Sequence, residues 1–358
     1  FRFIVEKQLK DIGVGPVEII IEPSPKNTAP AILSACFKVL TDGLSENVLV
    51  CPSDHSIPDV KGFHKTINIG LKEVVKGKIV TFGIRPNRPE TGYGYIEVDS
   101  LHSNDPVPVK NFIEKPDYET AKQMISSNNF LWNAGIFLFN VNDMIESFKK
   151  YLPKTFQSVS ESYNNGRKDL NFFRLDELSW DDCENISIDF GILERTSNIS
   201  VVPYFDHWSD LGDWQSIWKE SKKNERGVVT SKSSTAINCD NVLLRSEKDT
   251  QHLVGIGLNN IAAIAMPDAV LVADMKDTQN VKNVVDYLRK NKITQSEEFP
   301  VVHRPWGYFE ALVLEKNFQV KRIVVNPGGV LSLQSHKYRS EHWVVVEGIA
   351  RVTINEEI

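Results

Sequence analysis

Short apolar runs alternating with amphipathic stretches over residues 17–84 constrain this chain most. Val17-Glu18-Ile19-Ile20-Ile21-Glu22 reads as a strand, broken by Pro23 and Pro25. Asn27 or Thr28 is placed to cap a helix with Pro30 in its first turn. Ala31, Ile32, Ala35, Cys36, Val39 and Leu40 then recur at helical spacing, and Gly43 ends the run. Val48-Leu49-Val50-Cys51 is a second strand, Phe63, Ile67, Leu71, Val74 and Val75 mark a second helix closed by Gly77, and Ile79-Val80-Thr81-Phe82-Gly83-Ile84 is a third strand. This order predicts an α/β domain whose parallel sheet is covered on both faces. A helix is expected ahead of it, over Phe3-Ile4-Val5-Glu6-Lys7-Gln8-Leu9.

Ligands of such sheets sit beyond the carboxyl ends of the strands. Three features are expected there: Glu22-Pro23, Pro52-Ser53-Asp54-His55 and Pro89-Glu90-Thr91-Gly92-Tyr93-Gly94-Tyr95. Two glycines one residue apart let the backbone approach a ligand, and two tyrosines offer flat faces and hydroxyls, which suits a polar ring such as a sugar. An ordinary turn has the same composition, and on this segment alone Asp54 is equally a cap or turn residue.

Further on, Val109-Lys110-Asn111-Phe112-Ile113-Glu114 alternates and ends at Lys115-Pro116, a pairing of acceptor and cation that could also be a solvated surface pair. Ala121 to Ile125 reads as a short helix. Trp132-Asn133-Ala134-Gly135 leads into a strand at Ile136-Phe137-Leu138-Phe139. Helices are expected around residues 144–148 and 156–163, and after Ser187, which is placed to cap. Val201-Val202-Pro203 ends a strand. Asp210 follows in an aromatic-flanked turn, Trp208-Ser209-Asp210-Leu211-Gly212-Asp213-Trp214, as a second metal-type carboxylate or a helix cap.

From about Gly227 the texture changes to small strands with tight turns: residues 236–244, 253–256, 261–265 and 269–273. A helix with Val281, Val284, Val285 and Leu288 on one face and a polar linker, 293–300, follow. Strands are then expected at 318–325, 331–334, 343–346 and 350–354, the pattern of an antiparallel barrel or jelly roll.

A net charge of -6 without a basic run argues against a nucleic-acid partner, and no apolar stretch reaches the length of a membrane span. Cys36, Cys51, Cys183 and Cys239 form no metal-type pair and suit reduced thiols in the cytoplasm. There is no signal-peptide pattern. The chain opens at Phe1 inside a helical pattern and closes after the turn signal Asn355-Glu356-Glu357, so it reads as truncated at both ends.

Seven motifs in order resemble the sugar-1-phosphate nucleotidyltransferases, specifically mannose-1-phosphate guanylyltransferases. They are Glu22-Pro23-Ser24-Pro25-Lys26-Asn27-Thr28-Ala29-Pro30, Pro52-Ser53-Asp54-His55, the Gly-Tyr-Gly loop, Phe112-Ile113-Glu114-Lys115-Pro116, Trp132-Asn133-Ala134-Gly135, Ser187-Ile188-Asp189-Phe190 and Trp208-Ser209-Asp210. The resemblance covers about residues 1–220 and implies a Rossmann-like domain that joins mannose-1-phosphate to GTP. It implies Asp54 and Asp210 as Mg²⁺ ligands, with Lys115 as a third catalytic residue, a phosphate-binding cation. It implies substrate contacts from Glu22, Asn27, Gly94, Tyr95, Glu114, Asn133 and Asp189. Two departures stand out: Lys26 where the family has Arg, and no Gly-rich phosphate loop, which would lie before Phe1.

Gly328, Gln334, His336, Glu341 and Gly348 follow the cupin spacing, with Gln334 in place of the usual first His. With Arg304-Pro305-Trp306-Gly307 and the residues around His336, this stretch resembles the type II phosphomannose isomerases fused to such transferases. The resemblance implies a divalent metal (Zn²⁺, Co²⁺ or Mn²⁺) on Gln334, His336 and Glu341, Arg304 as a motif residue, and mannose-6-phosphate as substrate of the parent. A second cupin motif, with another His ligand, would lie beyond Ile358. The expected domains are a nucleotidyltransferase domain over 1–222, a β-rich connector over 223–295 and a partial cupin (jelly-roll) over 296–358. A homo-oligomer is compatible with this reading. Two rivals are a transferase with a merely structural cupin module and a non-catalytic sugar-nucleotide sensor. As given, the chain is expected to lack useful levels of either activity.

Overall fold

The computed structural model describes residues 2–15, 17–44, 46–101 and 105–353. The turn expected at Asn355-Glu356-Glu357 and the end of the last expected strand, Ile354, lie outside them. The chain divides into one compact unit over Ile4–Glu298 and another from residue 299 onward.

The first unit is organised on the strand Phe130–Asn140, seven of whose eleven residues are buried. Its side chains alternate between two cores: Leu131, Phe137 and Phe139 enter one, and Trp132, Ala134, Ile136 and Leu138 enter the other. Helices Thr28–Thr41, Val141–Tyr151 and Pro153–Asn164 supply the first core, and Val60–Val74 and Tyr118–Ser127 the second. The α/β class and the positions of these helices are as expected, whereas the helix expected after Ser187 is a five-residue π-helical turn, Asp189–Leu193. Asn27 caps Thr28–Thr41, its side chain accepting the Thr28 N–H at 2.9 Å.

The sheet is not parallel throughout, which corrects the expectation from strand–helix alternation. Ile79–Ile84 runs parallel to Ile199–Tyr204, but Phe130–Asn140 runs antiparallel between Ile79–Ile84 and Asn47–Val50. Apolar periodicity reports that a strand is buried on both faces. It carries no information on direction. Ile19–Ile21 leaves this sheet altogether and pairs parallel with Phe172–Arg174. Glu22 therefore does not share the main sheet's edge with the other two loops.

A second correction concerns Trp132-Asn133-Ala134-Gly135, which lies inside the long strand rather than before it. The register against Ile79–Ile84 shifts between Thr81 and Gly83, and Gly135 takes φ 67°. Such an irregularity re-aims side chains locally.

Beyond residue 227 the connector stacks parallel strands. Val229–Thr230, Leu243–Ser246 and Ile261–Ala265 form one sheet, closed antiparallel by Val270–Asp274, while Ser234–Ile237 and Leu253–Ile256 form a second. Asn238, Asn241 and Asn260, all at positive φ, turn its corners. The turn Met275–Asn280 and the helix Val281–Lys290 follow.

The second unit holds a three-stranded antiparallel sheet, Val301–Arg304, Gly307–Leu314 and Gln319–Val325. Gly307 is required at its hairpin, since a Cβ there would collide with the Val324 carbonyl. The strands expected at 331–334, 343–346 and 350–353 do not form among the described residues. A strand exists only through a partner's hydrogen bonds, and these segments pair with none there.

Candidate active site

Asn47–Val50, Ile79–Ile84 and Ile199–Tyr204 all point the same way, so the loops after them meet at one edge. An isolated antiparallel pair joins two of these loops. Ser56 N–H donates to Ser209 O at 2.8 Å, and Ser209 N–H donates to Ser56 O at 3.1 Å. This tie brings the loops of Asp54 and Asp210 together. His55 lies within the field of both carboxylates, although burial is the larger effect and lowers its pKa. Trp208 Nε1–H donates to His55 Nδ1 at 3.3 Å, edge-on to the ring.

Asp210 is half-buried, and its carboxylate folds back over Gly212, where a Cβ would lie 2.6 Å from Oδ2. It is not the cap of the following helix. Asp213 holds that place, accepting the Ser216 N–H at 2.6 Å. Tyr93 and Asp210 line the same cavity, and burial first, then that carboxylate, raises the phenol pKa. The Asp210 loop opens on a cavity of about 530 Å³ lined by Arg88, Gly92, Tyr93 and Gly212, with Thr278 and Lys282 of the connector on its wall.

A second cluster lies on the other side of the Gly-Tyr-Gly loop. Gly94 pairs with Glu114 across two antiparallel strands, and Lys115 N–H donates to Tyr93 O at 3.2 Å. Lys115 Nζ sits 3.1 Å from Glu114 Oε1, with the Glu114 side chain 8% exposed and that of Lys115 59%. The register shift aims Asn133 at the same place. Its Oδ1 accepts from Thr81 Oγ1 at 2.7 Å and from Gly135 N–H at 3.3 Å, and its Nδ2 donates to Asp189 Oδ1 at 2.8 Å. Asp189 is pushed up to about 6, first by burial and then by Glu114, with Lys115 and Asn133 acting against the rise.

Asp54 and Asp210 thus face one edge, and Gly94, Glu114, Lys115, Asn133 and Asp189 form one neighbourhood beside it. The loop of Glu22, Lys26 and Asn27 runs along residues 186–188, through Ile186 N–H to Lys26 O at 3.3 Å and Ile188 N–H to Thr28 Oγ1 at 2.9 Å. Burial raises the Glu22 pKa, and Lys26 Nζ donates to the Asp181 carbonyl at 2.9 Å. Tyr95, expected to touch substrate, is a correction. It is fully buried and its hydroxyl accepts the Glu90 N–H at 3.0 Å, so it supports the loop from within the core. Tyr93, His55 and Trp208 lie inside the motifs singled out in the sequence, yet nothing local to those motifs shows that they touch.

In the second unit, His336 Nε2 lies 3.0 Å from Glu341 Oε1, and Arg339 is 2.9 Å from the same nitrogen. Gln334 lies in an exposed segment without regular structure. A guanidinium against the ligating nitrogen does not suit a cation, and no group of three His, Cys, Asp or Glu side chains converges among the described residues. As arranged, these side chains do not fit a bound metal. Arg304 stacks over Phe309 at 5.7 Å.

Two substitutions test the second cluster. A Cβ on Gly94 would lie 2.5 Å from Glu114 Oε2 and 3.1 Å from the Phe112 ring. Gly94→Ala is expected to cost about 1–3 kcal/mol in a denaturation curve and to displace Glu114. An unchanged midpoint would show slack where the structure has none. Asp189→Asn tests the raised pKa. With the folded value above the unfolded one, the ionised carboxyl destabilises the native state as pH rises from about 4 to about 6. The melting temperature of Asp189→Asn relative to the parent should therefore climb over that window and level off above it. A flat difference would place Asp189 in contact with water.

Together the α/β sheet and the chemistry at its carboxyl edge define a nucleotidyltransferase-type protein. The chain belongs to the nucleotidyl transferase family, whose family model matches residues 2–227. A model for the mannose-6-phosphate isomerase C-terminal domain matches 290–358. Both families generally use divalent metals. Mannose-1-phosphate guanylyltransferase of Salmonella muenchen is 39% identical over 359 residues, covering 100% of this chain and 76% of the relative. Xanthan biosynthesis protein XanB of Xanthomonas campestris pv. campestris (strain B100) is 36% identical, covering 100% of this chain and 75% of its own length. A crystal structure titled mannose-1-phosphate geranyltransferase, from Thermus thermophilus, superposes with a TM-score of 0.66 at 26% identity over 79% of this chain and 81% of that one. A mannose-6-phosphate isomerase from Helicobacter pylori gives a TM-score of 0.52 at 28% identity over 58% and 80%. Among the described residues no helix is long and apolar enough to cross a membrane.

Proposed function

We propose that the first unit is a mannose-1-phosphate guanylyltransferase, forming GDP-mannose and pyrophosphate from mannose-1-phosphate and GTP. The Ser56–Ser209 tie carries the reading, because it joins the Asp54 and Asp210 loops, and Tyr93, packed on Trp208 of the second loop, accepts the Lys115 N–H through its carbonyl. The relatives named above support the choice of sugar and base.

In this reading a phosphate oxygen of the sugar phosphate attacks the α-phosphorus of GTP, and the bond to the β,γ-diphosphate breaks. Such a transfer depends on placing and neutralising charge. Lys115 meets the sugar phosphate as a point charge. Glu114 accepts sugar hydroxyls, the Gly94 backbone offers close approach, and Asn133 holds Asp189 while keeping one amide hydrogen free. Asp54 and Asp210 are oxygen donors that suit Mg²⁺, which when bound would neutralise phosphate charge. Glu22 and Asn27 lie along the neighbouring loop as further substrate contacts.

We assign the functional domains to 1–222, 223–295 and 296–358, the last as the mannose-6-phosphate isomerase half. All four cysteines are free and three are buried, which suits the cytoplasm. The test is pyrophosphate release by the natural full chain, offered mannose-1-phosphate or glucose-1-phosphate with GTP, ATP or UTP. Preference for mannose-1-phosphate with GTP, lost on chelation, is expected. Equal rates with all pairs would overturn it. Interconversion of mannose-6-phosphate and fructose-6-phosphate with Mg²⁺, Mn²⁺, Co²⁺ or Zn²⁺ tests the other half. A failure with every ion would leave that half a structural module, the reading the closed His336–Glu341 pair favours.

A further inference from the structure

We propose that His55 is a substrate-binding residue whose Nε2–H donates to the phosphate of the sugar phosphate, and that Trp208 fixes the imidazole tautomer this requires. The role rests on the proposed transferase reading.

Three observations carry it. First, the tautomer is set by the partner. An indole N–H can only donate. Trp208 Nε1–H meets His55 Nδ1 at 3.3 Å, so Nδ1 is the accepting nitrogen and the ring proton is on Nε2. Second, the pair is held on both sides. His55 and Trp208 each stand one residue before a serine of the Ser56–Ser209 pair, and their rings meet edge-on at 5.3 Å. Tyr93 packs edge-on against Trp208 at 5.6 Å and against Trp132 at 5.2 Å, so the indole has little freedom. Third, the ring borders the second cluster. A Cβ on Gly135 would lie 4.0 Å from His55 Cε1, the atom bonded to Nε2. The Gly135 N–H itself donates to Asn133 Oδ1 at 3.3 Å.

His55 is half-buried, and among the described residues its Nε2 has no hydrogen-bond partner. A donor in that position gains free energy from a ligand acceptor. Its place says which acceptor. A sugar phosphate on this site has its ring at Glu114 and Asn133 and its phosphate toward Asp54 and Asp210. His55 follows Asp54 directly, lies in the field of both carboxylates and borders Gly135, so it stands where the phosphate joins the two. The lone pair of Nδ1 is taken by Trp208, which leaves the ring able only to donate. Such a group favours an anionic oxygen over a hydroxyl, since hydrogen bonds to charged acceptors are the stronger ones.

Two variants of the natural full chain separate this role from a structural one. His55→Asn keeps an acceptor where Nδ1 stands but loses the outer donor. His55→Gln places an amide donor near the position of Nε2. Mannose-1-phosphate binding is measured by calorimetry with Mg²⁺ and no GTP, so without turnover. The expected dissociation constant is about tenfold or more above the parent's in His55→Asn, the size of one lost hydrogen bond to a charged group, and closer to the parent's in His55→Gln. In histidine-labelled parent, nitrogen NMR should show Nδ1 bare and Nε2 protonated, with the Nε2 signal moving on addition of mannose-1-phosphate but not of mannose. A reversed order of the two variants, a protonated Nδ1, an Nε2 signal indifferent to mannose-1-phosphate, or no binding to the parent would overturn the proposal. Pyrophosphate release by His55→Asn with the parent's KM for mannose-1-phosphate would overturn it too and leave the transferase reading intact. If binding depends on His55 but the parent releases no pyrophosphate from GTP and mannose-1-phosphate, the transferase reading fails while the His55 assignment stands.

Discussion

Asp210→Asn is expected to lower turnover about 100- to 1000-fold while leaving the melting temperature nearly unchanged. The magnitude is that of removing one preorganised electrostatic group from a phosphoryl-transfer-type site. The stability expectation is particular to this loop. Asn has the same shape as Asp, so the contacts over Gly212 are kept. Asp210 does not cap the helix Trp214–Glu220, so no cap is lost. Asp213→Ala is the contrast: it removes the acceptor of the Ser216 N–H and should cost about 1 kcal/mol of stability. Steady-state pyrophosphate release and a thermal melt on both variants separate the two roles. A cooperative melt at the parent temperature with undiminished turnover in Asp210→Asn would remove the residue from the metal site.

Lys115→Ala is expected to lower kcat/KM for the sugar phosphate about 10- to 100-fold, the range for losing a hydrogen bond to a charged group. The backbone should tolerate it, since Lys115 already sits at φ 49° and its side chain is largely exposed. Its ammonium is the cation 3.1 Å from Glu114. Removing it also takes away a charge that holds the Asp189 pKa down, so the Asp189 titration should move above its present value of about 6. Kinetics against mannose-1-phosphate concentration, repeated across pH, reads both effects. Unchanged kinetics would make Lys115 a solvated surface residue that only pairs with Glu114.

Much of the site was legible because its residues sit in compact motifs at strand ends. Glu114 and Lys115 are adjacent in sequence, and Gly94 meets Glu114 because two alternating runs pair in register. Asn133 was visible as a residue but misplaced in structure. A register shift depends on which strand lies alongside, and Thr81 is 52 residues away. Tyr95 and Tyr93 look alike in sequence. Two residues apart, they would share one face of a continuous strand, but the strand begins at Gly94, so Tyr95 enters the core from it and Tyr93 stands before it. The stretch after residue 326 shows the same limit from the other side. The short strand signals at 331–334 and 343–346 are real in the sequence, but a strand signal provides no partner.

The sequence by itself determined the α/β class, the main helices, the change of texture near residue 227, and the motifs that place acidic, basic and glycine residues at strand ends. These follow from apolar periodicity and turn chemistry, both of which act over a few residues. Tertiary structure alone decided the antiparallel insertion of Phe130–Asn140, the parallel stacking of the connector, the Ser56–Ser209 tie and the packing of Tyr93 on Trp208. Each joins groups many residues apart in the chain. A backbone or hydroxyl donor specifies that it must be satisfied but not by whom, and that choice is made only when the packed core brings the partners within reach.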